Sequence, residues 1–376
     1  MLAIDEFDTG KAEAFEERMV DILNAGAINL MISVGHRTGL FDVMAKMEAA
    51  TSQEIADRAK LNERYVREWL GAMTASGFVT VDTKELSHGH DHGHSHYNEA
   101  AKFSLPTEHA TCLTRAAAPN NIAVFSQYIA ILGGVEDDIV ECFEQGGGVP
   151  YEKYGRFNEV MAEDSGQTVL PALHDHILPL IPGLIGKLKE GVRMLDAGCG
   201  RGRAITMLAK DFPNSTFVGY DLLQDVVDFG NAEAERLGLY NLSFVQKDLT
   251  SFDDDADEAS FDFVTSFDAI HDQADPGSML RGIRKTLAED GVYLAQDING
   301  SSHVGNNMDH PIGPLLYTIS CMHCMSVSLA QEGGEGLGAM WGREKAQDMF
   351  EDAGFDHVDV HELEHDIQNC YYVVRP

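Results

Sequence analysis

The sequence predicts an α/β domain with a doubly wound, mainly parallel sheet, preceded by a smaller helical domain. Three observations support this fold class. From Val192 onward, apolar strand-like segments alternate with amphipathic helices, which is typical of a parallel sheet with helices on both faces. A glycine-rich turn follows the first of these strands. At 376 residues the chain is also too long for one compact core.

The first part of the chain is expected to be helical and to take part in self-association. Residues 15–47 have the periodicity of two apolar helices, and residues such as Ile22 and Leu23 are dense enough to be buried on most faces. A contact between two copies of the chain is therefore expected there.

From Thr51 the pattern changes to helix, turn, helix and strand. Thr51 or Ser52 is expected to cap the first helix and Asn62 the second. The strand "VTVD" and the later segment "KFSLP" would form a hairpin, so the pattern predicts a helix-turn-helix with a wing. The histidine-rich tract at 88–96 interrupts this wing. It could bind a metal or be a solvated loop tip.

The predicted domains are a winged-helix and dimerisation domain at 1–106, a helical linker and active-site cover at 107–190, and an α/β domain at 191–376. The last domain contains seven strand-like segments. Its two closing strands, 357–362 and 368–374, are joined by a short link and must therefore pair antiparallel.

Composition narrows the class of partner. The net charge of −34 disfavours nucleic acid and anionic membranes as partners. Six unevenly spaced cysteines do not suggest a disulfide framework, and neither a signal peptide nor a membrane span is expected. These features predict a cytoplasmic protein with reduced thiols.

The segment "MLDAGCGRGRA" ends a strand and begins a helix, which places Gly198, Gly200 and Gly202 in a turn at the carboxyl edge of the sheet. Asp196, at the strand tip, suits a cationic amino group better than a phosphate. A dinucleotide site is the competing interpretation, but from Gly198 its third glycine would come one residue later, at Arg203.

Two more acids end the following strands. Asp221 is placed to accept hydrogen bonds from ribose hydroxyls, and Asp248 from an adenine amino group. Three carboxylates at the ends of successive strands predict one nucleoside-binding crevice.

These motifs resemble those of class I S-adenosylmethionine-dependent methyltransferases. The resemblance implies that the methionyl amine lies near the glycine turn, the ribose on Asp221, and the adenine between Leu222, Asp248 and Leu249. Phe267 and Asp268 complete the predicted cofactor-binding set.

The resemblance extends along nearly the whole chain to winged-helix methyltransferases, through "RYVREWLGAM", "YGRFNEVMAEDSGQTV", "AIHDQADP" and "GEGLGAMWG". In small-molecule O-methyltransferases of this layout, a histidine after the fourth strand takes the acceptor's proton, and the first domain dimerises. His271 occupies that position, with Asp272 as a candidate orienting group. Gln273 departs from the tryptophan usual there. A buried structural histidine is the alternative.

Residues 299–342 form a long, apolar connection that is interpreted as a substrate lid. The soft pair Cys321 and Cys324 could bind a metal or a thiophilic acceptor, or could simply pack as small apolar residues. No second pair completes a zinc ligand set, so no metal site is predicted. The candidate acceptor contacts are His303, His310, Tyr317, Cys321, His323, Cys324, Glu335 and Trp341.

Together these observations predict methyl transfer from S-adenosylmethionine to a small oxygen, nitrogen or sulfur acceptor by a homodimer. A winged-helix transcriptional regulator with a cofactor-sensing domain is the alternative. It is disfavoured because Arg64 and Arg67 are offset by Glu63 and Glu68, which leaves no basic face for DNA.

Overall fold

The computed structural model describes residues 7–82 and 101–376. The chain divides into two compact units, Met1–Ala130 and Ile131–Pro376. The three-part division at 106 and 190 stays a prediction. The histidine-rich tract at 88–96 lies outside the described residues.

The first unit is mainly helical. Its helices are α1 (Thr9–Thr38), α2 (Leu40–Met44), α3 (Ser52–Ala59), α4 (Glu63–Ala75) and α5 (Thr107–Leu113), and α6 (Ser126–Leu132) begins within it. Two short strands, β1 (Thr80–Asp82) and β2 (Lys102–Ser104), pair antiparallel as the predicted wing requires.

Local sequence signals account for the helix-turn-helix. The Thr51 side chain accepts a hydrogen bond from the backbone N–H of Glu54, whose carboxylate accepts one from the Thr51 N–H, so α3 begins with a capping box. Asn62 caps α4 by accepting from the Arg64 N–H. Trp69 and Leu70 on α4 are buried in the core of the unit.

Helix α1 departs from the expectation of burial on most faces. Residues 15–47 do fall in two helices, α1 and the short α2, but α1 is not buried on most faces, because Ile22 and Leu23 are 51% and 69% exposed. The reason is length: the core of the unit is smaller than the helix, and only Ser33, Gly35 and His36 near its end are buried. Helix α1 is also long and apolar enough to cross a membrane, with a mean hydropathy of 1.2 over an 18-residue window. Helix α1 is therefore a segment that could contradict the prediction that the chain has no membrane span.

The second unit contains the large sheet and the helices around it. Its strands are β3 (Arg193–Ala197), β4 (Thr216–Asp221), β5 (Leu242–Gln246), β6 (Phe261–Phe267), β7 (Leu287–Ile298), β8 (His357–His361) and β9 (Asn369–Arg375). Its helices are α7 (Glu136–Gln145), α8 (Phe157–Ala172), α9 (Leu184–Glu190), α10 (Arg203–Asp211), α11 (Gln224–Leu237), α12 (Phe252–Asp255), α13 (Pro276–Thr286), α14 (Gly313–Ile319), α15 (Met325–Leu329) and α16 (Gly342–Asp352).

The sheet order is β5-β4-β3-β6-β7-β9-β8. Within this sheet, strands β3 to β7 pair in parallel, and β9 runs antiparallel to both of its neighbours, β7 and β8. This confirms the predicted seven-stranded, doubly wound sheet with an antiparallel last strand. The order reverses between β3 and β6, and such a reversal opens a ligand crevice at the carboxyl ends of the strands.

Candidate cofactor and acceptor site

A cavity of about 210 Å³ opens at this reversal point. Its wall combines the turns after β3, β4 and β6 with residues from α8 and the segment before it. The lining residues that matter below are Tyr151, Phe157, Met161, Asp196, Gly198, Gly200, Gly202, Asp221, Leu222, Leu249, Phe267, Asp268, Asp272 and Gln331. The predicted glycine turn and two of the three predicted carboxylates therefore share one crevice.

The glycine turn adopts a backbone conformation in which a residue with a side chain would not fit. Gly198 has φ +74°, and a Cβ there would lie 2.5 Å from the Cβ of Ala269. The N–H groups of Gly198 and Cys199 both donate to the Tyr220 carbonyl at 2.9 Å, which fixes the turn against β4. The turn is thus held open beside the cavity.

Asp196 is a buried carboxylate at the end of β3. Its Oδ1 accepts a hydrogen bond from the Thr265 hydroxyl at 2.8 Å. Burial raises its pKa to about 7, against the lowering effect of that hydrogen bond. A cation brought to this carboxylate would stabilise its ionised form, which suits the amino group predicted for it.

Asp221, at the end of β4, receives two backbone donors. Its Oδ2 accepts from the Gly200 N–H at 2.9 Å and its Oδ1 from the Leu223 N–H at 3.0 Å. Burial raises its pKa even so. Each carboxylate oxygen can accept a second hydrogen bond, so vicinal hydroxyls could still be bound.

The third predicted carboxylate stands apart from the other two. Asp248 is exposed, accepts a hydrogen bond from the Thr250 N–H at 2.9 Å, and is not part of the described cavity wall. Its neighbours Lys247 and Leu249 do line the cavity, as does Leu222. The apolar residues expected around an adenine are therefore present in the wall, whereas Asp248 is exposed and is not part of it.

Phe267 and Asp268 form the cavity wall after β6. Asp268 has φ +50°, which is unusual for a residue other than glycine, and accepts a hydrogen bond from the Gln296 side chain at 3.0 Å. Its buried Oδ1 has no partner within the described chain. Burial, together with the nearby Asp297 carboxylate, raises the pKa of Asp268 well above its usual value. An unpaired buried oxygen on the wall fits a ligand donor.

His271 lies buried three residues further on. Its Nδ1 is 2.6 Å from Oδ1 of Asp297, which is fully buried at the end of β7. The Trp341 indole N–H donates to the same oxygen at 2.9 Å. Burial lowers the pKa of His271, but Asp297, Cys324 and Asp272 together outweigh it, so the pKa lies well above its ordinary value. The structure thus fixes the ring by Nδ1 and leaves Nε2 for other partners.

Asp272 connects this buried pair to the cavity wall. Its Oδ1 is 3.4 Å from Nε2 of His271, and its Oδ2 accepts a hydrogen bond from the Tyr151 hydroxyl at 3.1 Å. Asp272 itself lines the cavity. The orienting partner of His271 at Nδ1 is Asp297, whereas Asp272 faces the opposite nitrogen.

An aromatic cluster surrounds His323, one of the predicted acceptor contacts. The His323 ring stacks on Phe157 with centroids 3.5 Å apart, and Tyr154 and Tyr151 meet it edge-on at 4.6 and 5.2 Å. Burial lowers its pKa to about 4. His323 is thus neutral and buried, and it supports the cavity wall by packing against Phe157.

The structure does not bring the remaining acceptor candidates to the cavity wall. Tyr317 accepts a hydrogen bond from the Asn307 side chain at 2.8 Å, and the His310 ring accepts one from the Ile312 N–H. Trp341 lies behind Asp297, and Cys324 is buried beside His271. His303, Cys321 and Glu335 likewise lie outside the described wall.

Sequence reasoning missed three residues of this site. Asp297 ends β7 just as Asp196 and Asp221 end β3 and β4, so the strand-end argument, applied to one more strand, could have found it. Tyr151 and Phe157 come from the segment predicted to be a helical linker and active-site cover, in which no individual site residue was predicted. No local pattern marks them as cavity residues, because their position depends on tertiary packing.

Comparisons with known proteins agree with this geometry. Residues 26–115 match the model of the Rv2258c-like winged HTH domain, and residues 188–354 match that of a methyltransferase domain. Human N-acetylserotonin methyltransferase, solved in complex with SAM, has a TM-score of 0.62 at 14% identity, covering 100% of this chain and 99% of that one. A protein of Nostoc punctiforme PCC 73102, assigned as an O-methyltransferase, has a TM-score of 0.69 at 17% identity, covering 96% and 98%. At these identities the likeness establishes the fold.

Among curated proteins, a tRNA (guanine-N(7)-)-methyltransferase of Microcystis aeruginosa is 35% identical over 82 residues, which cover 21% of this chain and 39% of that protein. The chain thus spans well under two thirds of this relative's length, so the match informs the domain and not the acceptor. Sequence, fold and site geometry converge on one description. The chain joins a domain that matches the winged helix-turn-helix model to a domain that matches the methyltransferase model.

Proposed function

We propose that this protein transfers a methyl group from S-adenosylmethionine to a small-molecule acceptor at oxygen, nitrogen or sulfur. The observation that carries the proposal is the single crevice that holds the glycine turn, Asp196 and Asp221, with Asp272 on the same wall and the buried His271–Asp297 pair next to it. A donor and an acceptor bound in this crevice would lie side by side.

The bound cofactor supplies an electrophilic methyl group on a sulfonium. The chain's own residues bind and orient the two molecules and exclude water, which is the main requirement of an in-line displacement. Asp221 accepts from the ribose, Asp196 from the methionyl amine, and Leu222 and Leu249 enclose the adenine. Phe157 and Met161 give the acceptor part of the wall an apolar character.

His271 is proposed to take the acceptor's proton as a general base through Nε2. Asp297 holds Nδ1 and favours the protonated ring, which makes the imidazole a stronger base. His271→Ala should leave cofactor affinity unchanged and reduce turnover by roughly 10²–10⁴-fold. Full activity in this variant would remove His271 from the mechanism.

The identity of the acceptor is best approached by a screen. Purified protein is incubated with S-adenosylmethionine and panels of small hydroxyl, amine and thiol compounds, and adenosylhomocysteine release is measured. Adenosylhomocysteine release that occurs with the compounds of one panel, and that is lost in the His271→Ala variant, would support the proposal. A protein that binds the cofactor but methylates no panel would favour the sensor alternative.

The regulator alternative can be tested at α4. Arg67 pairs with Glu63 at 2.6 Å and Arg64 pairs with Glu68, so these cations of the helix are already neutralised. With a net charge of −34, we propose that the domain does not bind nucleic acid. A protein–DNA complex detected by gel shift with generic DNA at low salt would contradict this proposal.

We also propose that α1 mediates a homodimer of a cytoplasmic protein. Its exposed apolar side chains include Phe15, Ile22 and Leu23, and a second copy of the helix could cover them. Sedimentation analysis should give a dimer for the native chain and a monomer for Leu23→Glu. Recovery of the chain in the membrane fraction would favour the membrane interpretation of α1.

A further inference from the structure

Three side chains with different ligand atoms meet beside the acceptor end of the cavity. A ring nitrogen of His271, a carboxylate oxygen of Asp272 and Sγ of Cys324 all lie within 4.8 Å of one another, and Nε2 of His271 is 3.4 Å from Oδ1 of Asp272. They come from two segments, the turn after β6 and the π-helical turn Ser320–Cys324. Nitrogen, carboxylate oxygen and thiolate sulfur are the ligand types that zinc accepts in proteins.

The atoms that face the shared point are available for a ligand. Oδ1 of Asp272 is buried and makes no hydrogen bond within the described chain, its contact with Nε2 of His271 being 3.4 Å long, whereas Oδ2 of the same group accepts from Tyr151. Nδ1 of His271 is engaged by Asp297, which leaves Nε2 as the coordinating nitrogen. An unpaired buried carboxylate oxygen is costly, and a cation would satisfy it.

The surroundings also resemble those of a metal site. A histidine that binds a metal almost always donates its other ring N–H to a carboxylate or a carbonyl, which fixes the ring. Asp297 provides that carboxylate at 2.6 Å, and it is held in turn by the Trp341 indole N–H at 2.9 Å and the Ile298 N–H at 2.8 Å. Tyr151 orients Asp272 in the same way.

Charge balance favours a divalent cation. The charges of one such ion, the Asp272 carboxylate and a Cys324 thiolate cancel, so a buried and neutral unit results. Cys324 is then a ligand instead of a simple packing residue.

We propose that His271, Asp272 and Cys324 bind a zinc ion whose fourth position opens toward the cavity. Of these three ligands Asp272 lines the cavity, whereas His271 and Cys324 are buried. The free position would lie on the Asp272 side, where an acceptor in the cavity could reach it. Three protein ligands with one open position are typical of catalytic zinc. The acceptor class is then a thiol or a hydroxyl, which zinc binds as the thiolate or alkoxide.

This acceptor role rests on the proposed methyl transfer, whereas the metal site itself does not. When the acceptor binds zinc, its proton leaves to solvent and its lone pair is available to attack the methyl group. One nitrogen lone pair cannot hold both zinc and a proton. In the metal-bound protein, His271 is therefore a ligand, and the metal favours the ionised acceptor in its place.

Cobalt(II) spectroscopy on the full-length protein tests the site directly. Cobalt bound by a thiolate gives a near-ultraviolet charge-transfer band that histidine and carboxylate ligands alone do not give. The histidine-rich tract at 88–96 can bind cobalt without contributing to this band. We expect the band in native protein at one equivalent and its loss when zinc is added.

The matched variants are Cys324→Ala and Cys321→Ala, one helical turn apart in the same segment. The band should vanish in Cys324→Ala and persist in Cys321→Ala. Absence of the band in native protein, or its persistence in Cys324→Ala, would overturn the proposal. Should Cys324→Ala fail to fold, Asp297→Asn serves instead: it keeps all three ligands but should weaken cobalt binding about 10–100-fold.

Turnover distinguishes the metal's role from the wider function. Chelator-treated protein should retain its affinity for adenosylhomocysteine and lose methyl transfer to thiols or hydroxyls, with recovery on addition of zinc. Retained transfer after metal removal would restore His271 as the base and reject the catalytic metal. Loss of cofactor binding itself would count against the proposed function, not against the metal site.

Discussion

Asp196 and Asp221 end neighbouring strands and share one cavity, yet their hydrogen-bond partners differ. Asp221 accepts two backbone donors and is held rigidly, whereas Asp196 accepts one hydroxyl and is more deeply buried. Their predicted roles, ribose acceptor and partner of an amino group, therefore have separate experimental signatures.

Replacing Asp221 by alanine should weaken cofactor binding by roughly 1.5–3 kcal/mol, the usual cost of losing a hydrogen bond to a charged group. Calorimetry with adenosylhomocysteine measures the change. Asp225→Ala removes the same charge from an exposed position of α11 and should bind as the native chain does. Equal losses in the two variants would show that only the local potential matters.

Binding of adenosylhomocysteine should weaken as the pH falls below about 7, because the pKa of Asp196 lies near 7 and the protonated acid cannot hold the ligand's ammonium group. From pH 7 to pH 5 the affinity should fall by up to about tenfold per unit, since binding must remove one proton. Calorimetry across this range measures it. Asp196→Asn should bind weakly and without this dependence, and a native profile that is flat would exclude Asp196 from the amine site.

Among the elements, α7 and the segment after it depend on a close backbone contact. A Cβ on Gly148 would lie 1.9 Å from the Ser326 carbonyl oxygen and 2.6 Å from the Ala330 nitrogen. The next residue, Val149, donates its N–H to the Ser326 hydroxyl at 2.8 Å, which keeps the two segments together. Ser326 lies two residues after Cys324, which is proposed as a metal ligand.

Gly148→Ala should lower the free energy of unfolding by about 1–3 kcal/mol or more, because backbone atoms on both sides must move apart. Urea unfolding measures the loss. Gly133→Ala is the matched control, since a Cβ there meets nothing within 4 Å and its φ is not positive. A Gly148→Ala variant as stable as this control would mean that the contact is looser than the structure shows.

Sequence patterns predicted the elements better than their surroundings. The alternation of strands and helices gave the sheet, and the rule about carboxyl ends of parallel strands placed Asp196 and Asp221 in one crevice. The same rule did not place Asp248 in the described cavity wall, because Asp248 lies two residues beyond the end of β5 and is exposed. Periodicity could not show that α1 exceeds its core, or that His323 would lie among aromatic rings of another segment.

At the scale of the whole molecule, the acidic surface is the dominant physical feature. A net charge of −34 repels itself, and salt screens that repulsion over about 10 Å at 0.1 M and about 3 Å at 1 M. Because this repulsion acts on the chain as a whole, its effect is expected on stability.

The thermal unfolding midpoint should therefore rise between about 0.1 M and 1 M potassium chloride. Calorimetric scans measure it, and sucrose at matched osmolality controls for general exclusion of solutes. A midpoint that does not rise with the salt would mean that the acids are already neutralised by local pairing, and the surface would then reflect solubility alone.

Helix α8 gives the crevice one further property. The Arg203 side chain, in the first turn of the helix after the glycine turn, donates to the Ala162 carbonyl of α8 at 2.5 Å, while Phe157 and Met161 of α8 face the cavity. A cofactor bound at the glycine turn and an acceptor bound against Phe157 would therefore both depend on the position of α8. If one molecule displaces α8, the affinity for the other changes, and thermodynamic reciprocity makes the two effects equal in size. The affinity for each molecule, measured with and without the other, would then change by the same factor.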